Sequence, residues 1–215
     1  MEEGEQEEGS SSQNVNITVV EIKERGAFIG ITLSNGSSFF IFPEDFSSLE
    51  LARGEKIPCE SLKKIELLNN TSLAYKKAIS ILSFAPSTAF LLNQKLLRKG
   101  FDSISINKAL ERLSEKKLID DKKFAAAWVS ARLSRNPESP FLLKAALAKK
   151  GVDRETAEEV LKDFTPDSSL YIESFEKALA KQLRKSNRPA EKIKISLLRK
   201  GYPLSLINKY LKNYQ

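Results

Sequence analysis

The chain has 215 residues, 35 Lys/Arg against 28 Asp/Glu, no histidine and a single cysteine, so it can bury a sizeable core as one domain or a few small ones. The missing histidine removes the commonest metal ligand and the usual general base; the lone Cys59 excludes an internal disulfide and suits a reducing cytoplasm; no apolar run is long enough to cross a bilayer. The formal charge of +7 hides an asymmetry: residues 1–60 carry 4 Lys/Arg and 12 Asp/Glu, a net of −8, which leaves 31 Lys/Arg and 16 Asp/Glu, a net of +15, in residues 61–215.

That gradient points to a polyanionic partner, either nucleic acid or an acidic protein surface; the plainer alternative is a basic face that keeps the protein soluble. Residues 1–13 are low-complexity Glu, Gly and Ser and are expected to form a disordered acidic tail. They are acidic where a signal peptide would be basic, and no apolar core follows them. Residues 14–60 are expected to form a small β-rich domain. Its "NITVVEIKERGAFIGITLSNGSSFFIF" is rich in Ile, Val, Thr and Phe and contains the hairpin signal "SNGS", which predicts antiparallel strands near 15–23, 26–33 and 37–42. "PEDFSSLELARGEKIP" predicts turns and a short helix.

From residue 61 the pattern is helical to the end, and it repeats. Gly100, Gly151 and Gly201 head three similar stretches, and apolar positions coincide when the chain is aligned on them. Six residues after the glycines sit Ile106, Ala157 and Ile207; ten after, Leu110, Leu161 and Leu211; thirteen after, Leu113, Phe164 and Tyr214. Steps of four and three keep one helix face buried. Before each glycine, at C3, stands Leu96, Leu147 or Leu197; after it, at C″, stands Phe101, Val152 or Tyr202. A C3–C″ contact across a left-handed glycine is the Schellman helix stop. The basic pairs Arg98-Lys99, Lys149-Lys150 and Arg199-Lys200 fall where the helix dipole favours cations, and Asp102, Asp153 and Pro203 suit the start of the next helix. An upstream helix in each unit carries Tyr75 and Ile79, Phe124 and Trp128, or Phe175 and Leu179. The fold class predicted is mainly α: three tandem three-helix repeats (61–116, 117–166 and 167–215) preceded by a small antiparallel β domain.

Catalytic motifs are missing: no GxxxxGK[ST], GxGxxG, GxSxG, CxxC or HExxH occurs. A hydrolase built on scattered carboxylates has no motif behind it, so neither catalysis, a cofactor nor a metal is expected. Asp120-Asp121 has the composition of a Mg²⁺ pair, but neighbouring carboxylates at a helix start more often cap amides. Cys59 reads as an ordinary buried or half-buried thiol. Trp128 and Phe124 suit base stacking or, more ordinarily, the core. The basic residues are more informative. In the helix over about 168–186, Tyr171, Phe175, Ala178 and Leu179 form the buried stripe, and Lys177, Lys181, Arg184 and Lys185 project opposite. Arg188, Lys192, Lys194, Arg199 and Lys200 extend this character. Arg132, Arg135, Lys181, Arg184, Lys185, Arg188, Lys192, Arg199 and Lys200 are therefore the candidate binding residues, with a solvated face as the alternative.

"LIDDKKFAAAWVSARL" (118–133) followed by "LLKAALAKKGVDRETAEEVL" resembles the middle repeat of the RecX family of recombinase regulators. Asp120, Asp121, Phe124, Ala125, Trp128, Arg132, Leu147, Lys150, Gly151 and Val152 match its pattern in order. "KLLRKGFDSISINKALERL" and "LLRKGYPLSLINKYL" look similar to the flanking repeats, so the likeness covers residues 71–215; residues 15–60 resemble the N-terminal extension of longer members. Two departures stand out. The arginine-rich turn and Ser-x-x-Glu-Leu of the family's first repeat is replaced by "SFAPSTAFLL", with Thr88 and Leu91 at the Ser and Glu places, so the capping box there is lost. A Gly-x-x-Ile entry to the middle helix of the second repeat is replaced by "ESPFLL". What the resemblance implies is a non-enzymatic regulator in homologous recombination, DNA repair and the SOS response; a cytoplasmic monomer is expected, though the sequence does not fix the oligomeric state. It would bind the RecA filament on single- or double-stranded DNA, limiting filament growth, ATP hydrolysis and strand exchange, with no membrane partner. A helical repeat protein that binds DNA directly, without RecA, is the alternative.

Overall fold

The computed structural model describes residues 17–184 and 189–212, so the expected acidic tail, Lys185, Arg188 and Tyr214 lie outside the described residues. Two compact units are present, residues 1–74 and 75–215. In the first, β1 (Val19–Arg25), β2 (Phe28–Leu33) and β3 (Ser38–Ile41) form an antiparallel sheet in the order β1-β2-β3. Asn35-Gly36 makes the β2–β3 turn, with Gly36 at φ 84° and the Asn35 side chain accepting from the Ser37 amide at 3.0 Å. Ile29 pairs with Ile41 and Ile31 with Phe39, and a register shift interrupts β1 between Val19 and Glu21. One face of the sheet closes over Val19, Ile31, Leu33 and Ile41 together with Ile65 and Leu68. A one-turn helix, α1 (Pro43–Phe46), follows β3.

Ile65 and Leu68 belong to α2 (Cys59–Leu82), which begins earlier than the repeat pattern predicts. Residues 59–74 of this helix lie in the first unit, where Asn69 Oδ1 accepts from the Phe40 amide of β3 at 2.9 Å. Cys59, expected to be buried or half-buried, is instead exposed: it occupies the first position of α2, where its side chain meets solvent.

The second unit is helical. The end of α2 with α3 (Ala89–Leu97) and α4 (Ser103–Glu115) makes the first repeat. α5 (Asp121–Arg135), α6 (Pro140–Ala148) and α7 (Arg154–Val160) make the second. α8 (Ser169–Leu183), α9 (Ala190–Leu198) and α10 (Leu204–Leu211) make the third. Each middle helix ends as the glycines predict. Gly100, Gly151 and Gly201 sit at φ 86°, 79° and 78°, and the amides of Phe101, Val152 and Tyr202 donate back to the carbonyls of Leu96, Leu147 and Leu197 at 3.2–3.3 Å. Leu96, Leu147, Leu197, Ile106 and Ile207 are fully buried, and Ala157 nearly so.

The two inter-repeat joints share one geometry. The glycine of the following repeat lies against the start of the preceding repeat's middle helix. A Cβ on Gly151 would fall 2.1 Å from Phe90 Cβ, and one on Gly201 would fall 2.2 Å from Ser139 Oγ; Gly100 has open space there. Hydrogen bonds accompany the approach: Thr88 Oγ1 donates to the Lys150 carbonyl at 2.6 Å, and the Ser139 amide donates to the Lys200 carbonyl at 2.9 Å. The cores differ. Repeats two and three share one continuous cluster, in which Tyr202 meets Phe175 and Tyr171 edge-on at 5.2 and 5.6 Å. The Tyr202 hydroxyl shares a 3.0 Å hydrogen bond with Ser174 Oγ, and burial pushes its pKa up to about 12. Repeat one closes around its own cluster of Ala78, Leu92, Leu96, Ile106, Leu113 and Ile119.

Asp120 and Asp121 both cap, on different helices. Asp120 accepts from the Lys123 amide of its own helix at 2.8 Å. Asp121 reaches to α3 and accepts from the Ala89 amide at 3.1 Å. Of the capping box in repeat one, the Thr88 half is kept, since its Oγ1 accepts from the Leu91 amide at 3.2 Å; the reciprocal half is lost with Leu91, as expected.

Candidate functional site

The α5–α6 turn gathers several charged side chains from repeats two and three. α5 ends in Arg132 and Arg135. Pro137 and the N-cap Ser139 bring the chain around into α6, leaving Glu138 on the inner side of the turn with 12% of its side chain exposed. Arg132 forks onto this carboxylate, Nε to Oε2 at 3.1 Å and one terminal nitrogen to Oε1 at 2.8 Å, and Asn136 Nδ2 donates to Oε1 at 2.6 Å. Repeat three completes the corner. Lys200 Nζ donates to Asn136 Oδ1 and, at 3.0 Å, to the Pro137 carbonyl. Lys181 Nζ donates to the Arg135 carbonyl at 3.2 Å, at the C-terminal end of α5 where the helix dipole favours a cation.

Burial holds the Lys200 ammonium below the ordinary lysine range; Glu138 pulls it back up, and the neighbouring Lys181 and Arg132 charges push it further down. One turn before Arg132, the half-buried Trp128 has the Lys150 ammonium 5.3 Å and the Arg132 guanidinium 5.9 Å from its ring centre. Trp128 packs against the core of repeats two and three as well. The core reading of Trp128 holds, and the same ring also has two cations beside it.

Of the candidate residues, Arg132, Lys181 and Lys200 meet at this turn, Arg132 on Glu138, Lys181 on the Arg135 carbonyl and Lys200 on Asn136 and Pro137. Arg184, Lys192 and Arg199 are placed on the exposed ends of α8 and α9, and Lys185 and Arg188 lie outside the described residues. The predicted stripe of α8 is buried at Tyr171, Phe175, Ala178 and Leu179. The opposite face of α8 is less uniformly cationic than its spacing predicts, since Lys177 pairs with Glu173 at 2.6 Å; on α9, Lys194 pairs with Glu191 at 3.8 Å. In the sequence Glu138 and Asn136 look like ordinary turn residues, and Lys150 stands as a dipole cation and a residue of the RecX pattern rather than as a binding candidate. Among the described residues no three Cys, Asp or Glu side chains gather into a metal cage, and no helix is long and apolar enough to cross a membrane. Fixed cations around one carboxylate can attract and hold anions.

Three-helix units joined through glycine stops, with a basic corner assembled across a joint, define a helical-repeat binding scaffold. Residues 74–113 match the first three-helix domain of RecX and residues 120–161 the second. The regulatory protein RecX of Chlorobium limicola is 30% identical over 138 residues, covering 64% of this chain and 86% of that protein. That of Streptococcus mutans is 29% identical over 190 residues, covering 87% and 72%. A crystal structure of a regulatory protein RecX superposes with a TM-score of 0.73 over 92% of this chain and 99% of the other, at 22% identity, and so speaks to the fold. RecX from Lactobacillus salivarius gives 0.56 at 28% identity, over 67% and 96%. The chain belongs to the RecX family of regulatory proteins.

Proposed function

We propose that this chain is a cytoplasmic, non-enzymatic regulator of the RecA recombinase that binds the RecA filament on DNA and mainly restrains its growth, ATP hydrolysis and strand exchange. The observation that carries the reading is the basic corner. Lys181 and Lys200 of one repeat meet the end of α5 in the preceding repeat, so a cationic surface runs across a joint. A filament offers the same acidic or phosphate surface again and again along its length, and linked weak contacts to it add through effective concentration. Membership of the RecX family supports the same reading.

Co-sedimentation with RecA filaments tests it. Reversing Lys181, Arg184 and Lys185 to Glu is expected to release the protein from filaments while its helical circular dichroism is kept; unchanged co-sedimentation removes these residues from the site. The second reading, DNA binding independent of RecA, draws support from Trp128 with Lys150 and Arg132 over its ring. Tight, steeply salt-dependent binding to bare DNA that RecA does not alter would favour it.

A further inference from the structure

We propose that Glu138 is a resident ligand of the basic corner, occupying the position that a nucleic-acid phosphate takes on binding, and that it sets the affinity of repeat two for single-stranded nucleic acid. Three observations carry this. First, Glu138 is built in as a ligand is. Both of its oxygens are engaged by Arg132, and Oε1 is shared with Asn136, while the charge of Lys200 acts on it. A phosphodiester presents two anionic oxygens with the same spacing logic to a guanidinium fork.

Second, the corner remains cationic with Glu138 in place. Arg132 pairs with this single carboxylate, the charges of Glu138, Lys181 and Arg132 all act on Lys200, and Arg135 stands exposed on the same turn. An entering phosphate is attracted by the excess, and it can take over the Arg132 fork as Glu138 swings outward, since 40% of the Arg132 side chain is already exposed.

Third, the sequences that precede the three middle helices differ in a way that isolates Glu138. Counting back from the glycine stops, residues 134–138, "SRNPE", correspond to "SFAPS" (83–87) in repeat one and "RKSNR" (184–188) in repeat three. The first has no charge, and its Phe84 is 89% exposed. The third has the cations Arg184, Lys185 and Arg188 and no carboxylate. Of these three stretches only "SRNPE" joins a cation to an acid. The Trp128 ring beside Arg132 and Lys150 adds a flat partner for a base or sugar, and the cations continuing in repeat three suit a chain of phosphates better than an isolated carboxylate of a protein. Nucleic acid is therefore the favoured ligand.

The inference is independent of the RecA reading because its test contains no RecA. A fluorescent single-stranded oligonucleotide is titrated with the full chain and with Glu138→Gln at several salt concentrations, and a poly-glutamate peptide serves as the second ligand. Glu138→Gln is expected to bind the oligonucleotide about threefold tighter at low salt, from one unit of charge removed several ångströms from a phosphate. The advantage should shrink as salt rises, and poly-glutamate should gain less. Equal affinities of the two proteins for the oligonucleotide overturn the proposal, as does a gain confined to poly-glutamate, which would make the corner a site for acidic protein. Arg135→Gln, a change on the exposed side of the turn, is the second variant, useful should Glu138→Gln melt early. About threefold weaker oligonucleotide binding supports the site, and no change in Arg135→Gln overturns it.

Discussion

Thr88 Oγ1 donates to the Lys150 carbonyl at 2.6 Å while accepting from the Leu91 amide at 3.2 Å, so one buried hydroxyl both caps α3 and fastens repeat one to repeat two. Thr88 is fully buried, and the Lys150 carbonyl belongs to the glycine stop of the next repeat. Thr88→Val keeps the shape and removes both bonds. It is expected to destabilise the protein by about 1–2 kcal/mol in urea unfolding, through a lost cap and an unpaired carbonyl. Thr88→Ser, which keeps the hydroxyl, should recover most of that.

The three stop glycines should differ in their tolerance of a methyl group. Gly100→Ala meets only the left-handed backbone, since nothing lies within 4 Å of its added Cβ, and should cost about 1–2 kcal/mol. At Gly151 the new Cβ strikes Phe90, and at Gly201 it strikes Ser139. Gly151→Ala and Gly201→Ala should each cost about 1–3 kcal/mol beyond the Gly100 variant, measured as midpoints of thermal or urea unfolding. Equal costs at all three would mean that the repeats are not joined in this way.

Acid should act on the helix caps in two directions. The carboxyls of Asp102 and Asp153 are held below the usual range chiefly by the amides of Ser105 and Thr156. Their contribution is therefore present above the unfolded pKa and lost as pH falls through the folded one. Asp121 is pushed up, mainly by burial and further by Asp153 and Asp120, with the Ala89 amide opposing. Its sign is reversed: its contribution is full at acid pH and diminishes as pH rises through its folded pKa. Asp121→Asn keeps an acceptor for Ala89 and is expected to be neutral or stabilising at pH 7, its advantage over the parent vanishing at low pH. Asp153→Asn is expected to destabilise at pH 7 and to match the parent in acid. Melting curves across pH check both signs.

α4 ends without glycine. Lys117 takes the left-handed conformation at φ 54°, and the Leu118 amide donates to the Leu113 carbonyl at 2.9 Å, the same stop that glycine makes elsewhere. Lys117→Gly should relieve that strain and raise stability by about 1 kcal/mol; a loss of stability in thermal unfolding would contradict it.

The glycine-headed repeats were legible because Leu96, Leu147 and Leu197 and the residues following the glycines encode a local helix stop, and local geometry follows from local sequence. The stop at Lys117 was not, since lysine carries no signal for positive φ. The reach of α2 back to Cys59 was hidden for a related reason. Ile65 and Leu68 face a sheet rather than the repeat core, so they break the period of the later helices and expose Cys59 at the helix start. At the site, the spacing along α8 marked Lys181 as solvent-facing. That it bonds the Arg135 carbonyl, and that Lys200 meets Asn136 and Pro137, depend on how two repeats join, which side-chain periodicity within one helix does not encode. Glu138 carries no such signal, since an acid in a turn is ordinarily solvated and only the path of the chain from α5 into α6 folds this one onto Arg132.

The most direct test of the central claim is the DNA-dependent ATPase of RecA, followed in parallel with filament disassembly as this protein is added. The account predicts that ATP hydrolysis falls and filaments shorten as the protein approaches stoichiometry with RecA, and that Lys181, Arg184 and Lys185 reversed together to Glu weaken both effects. Full ATPase activity and intact filaments at stoichiometric protein would contradict it.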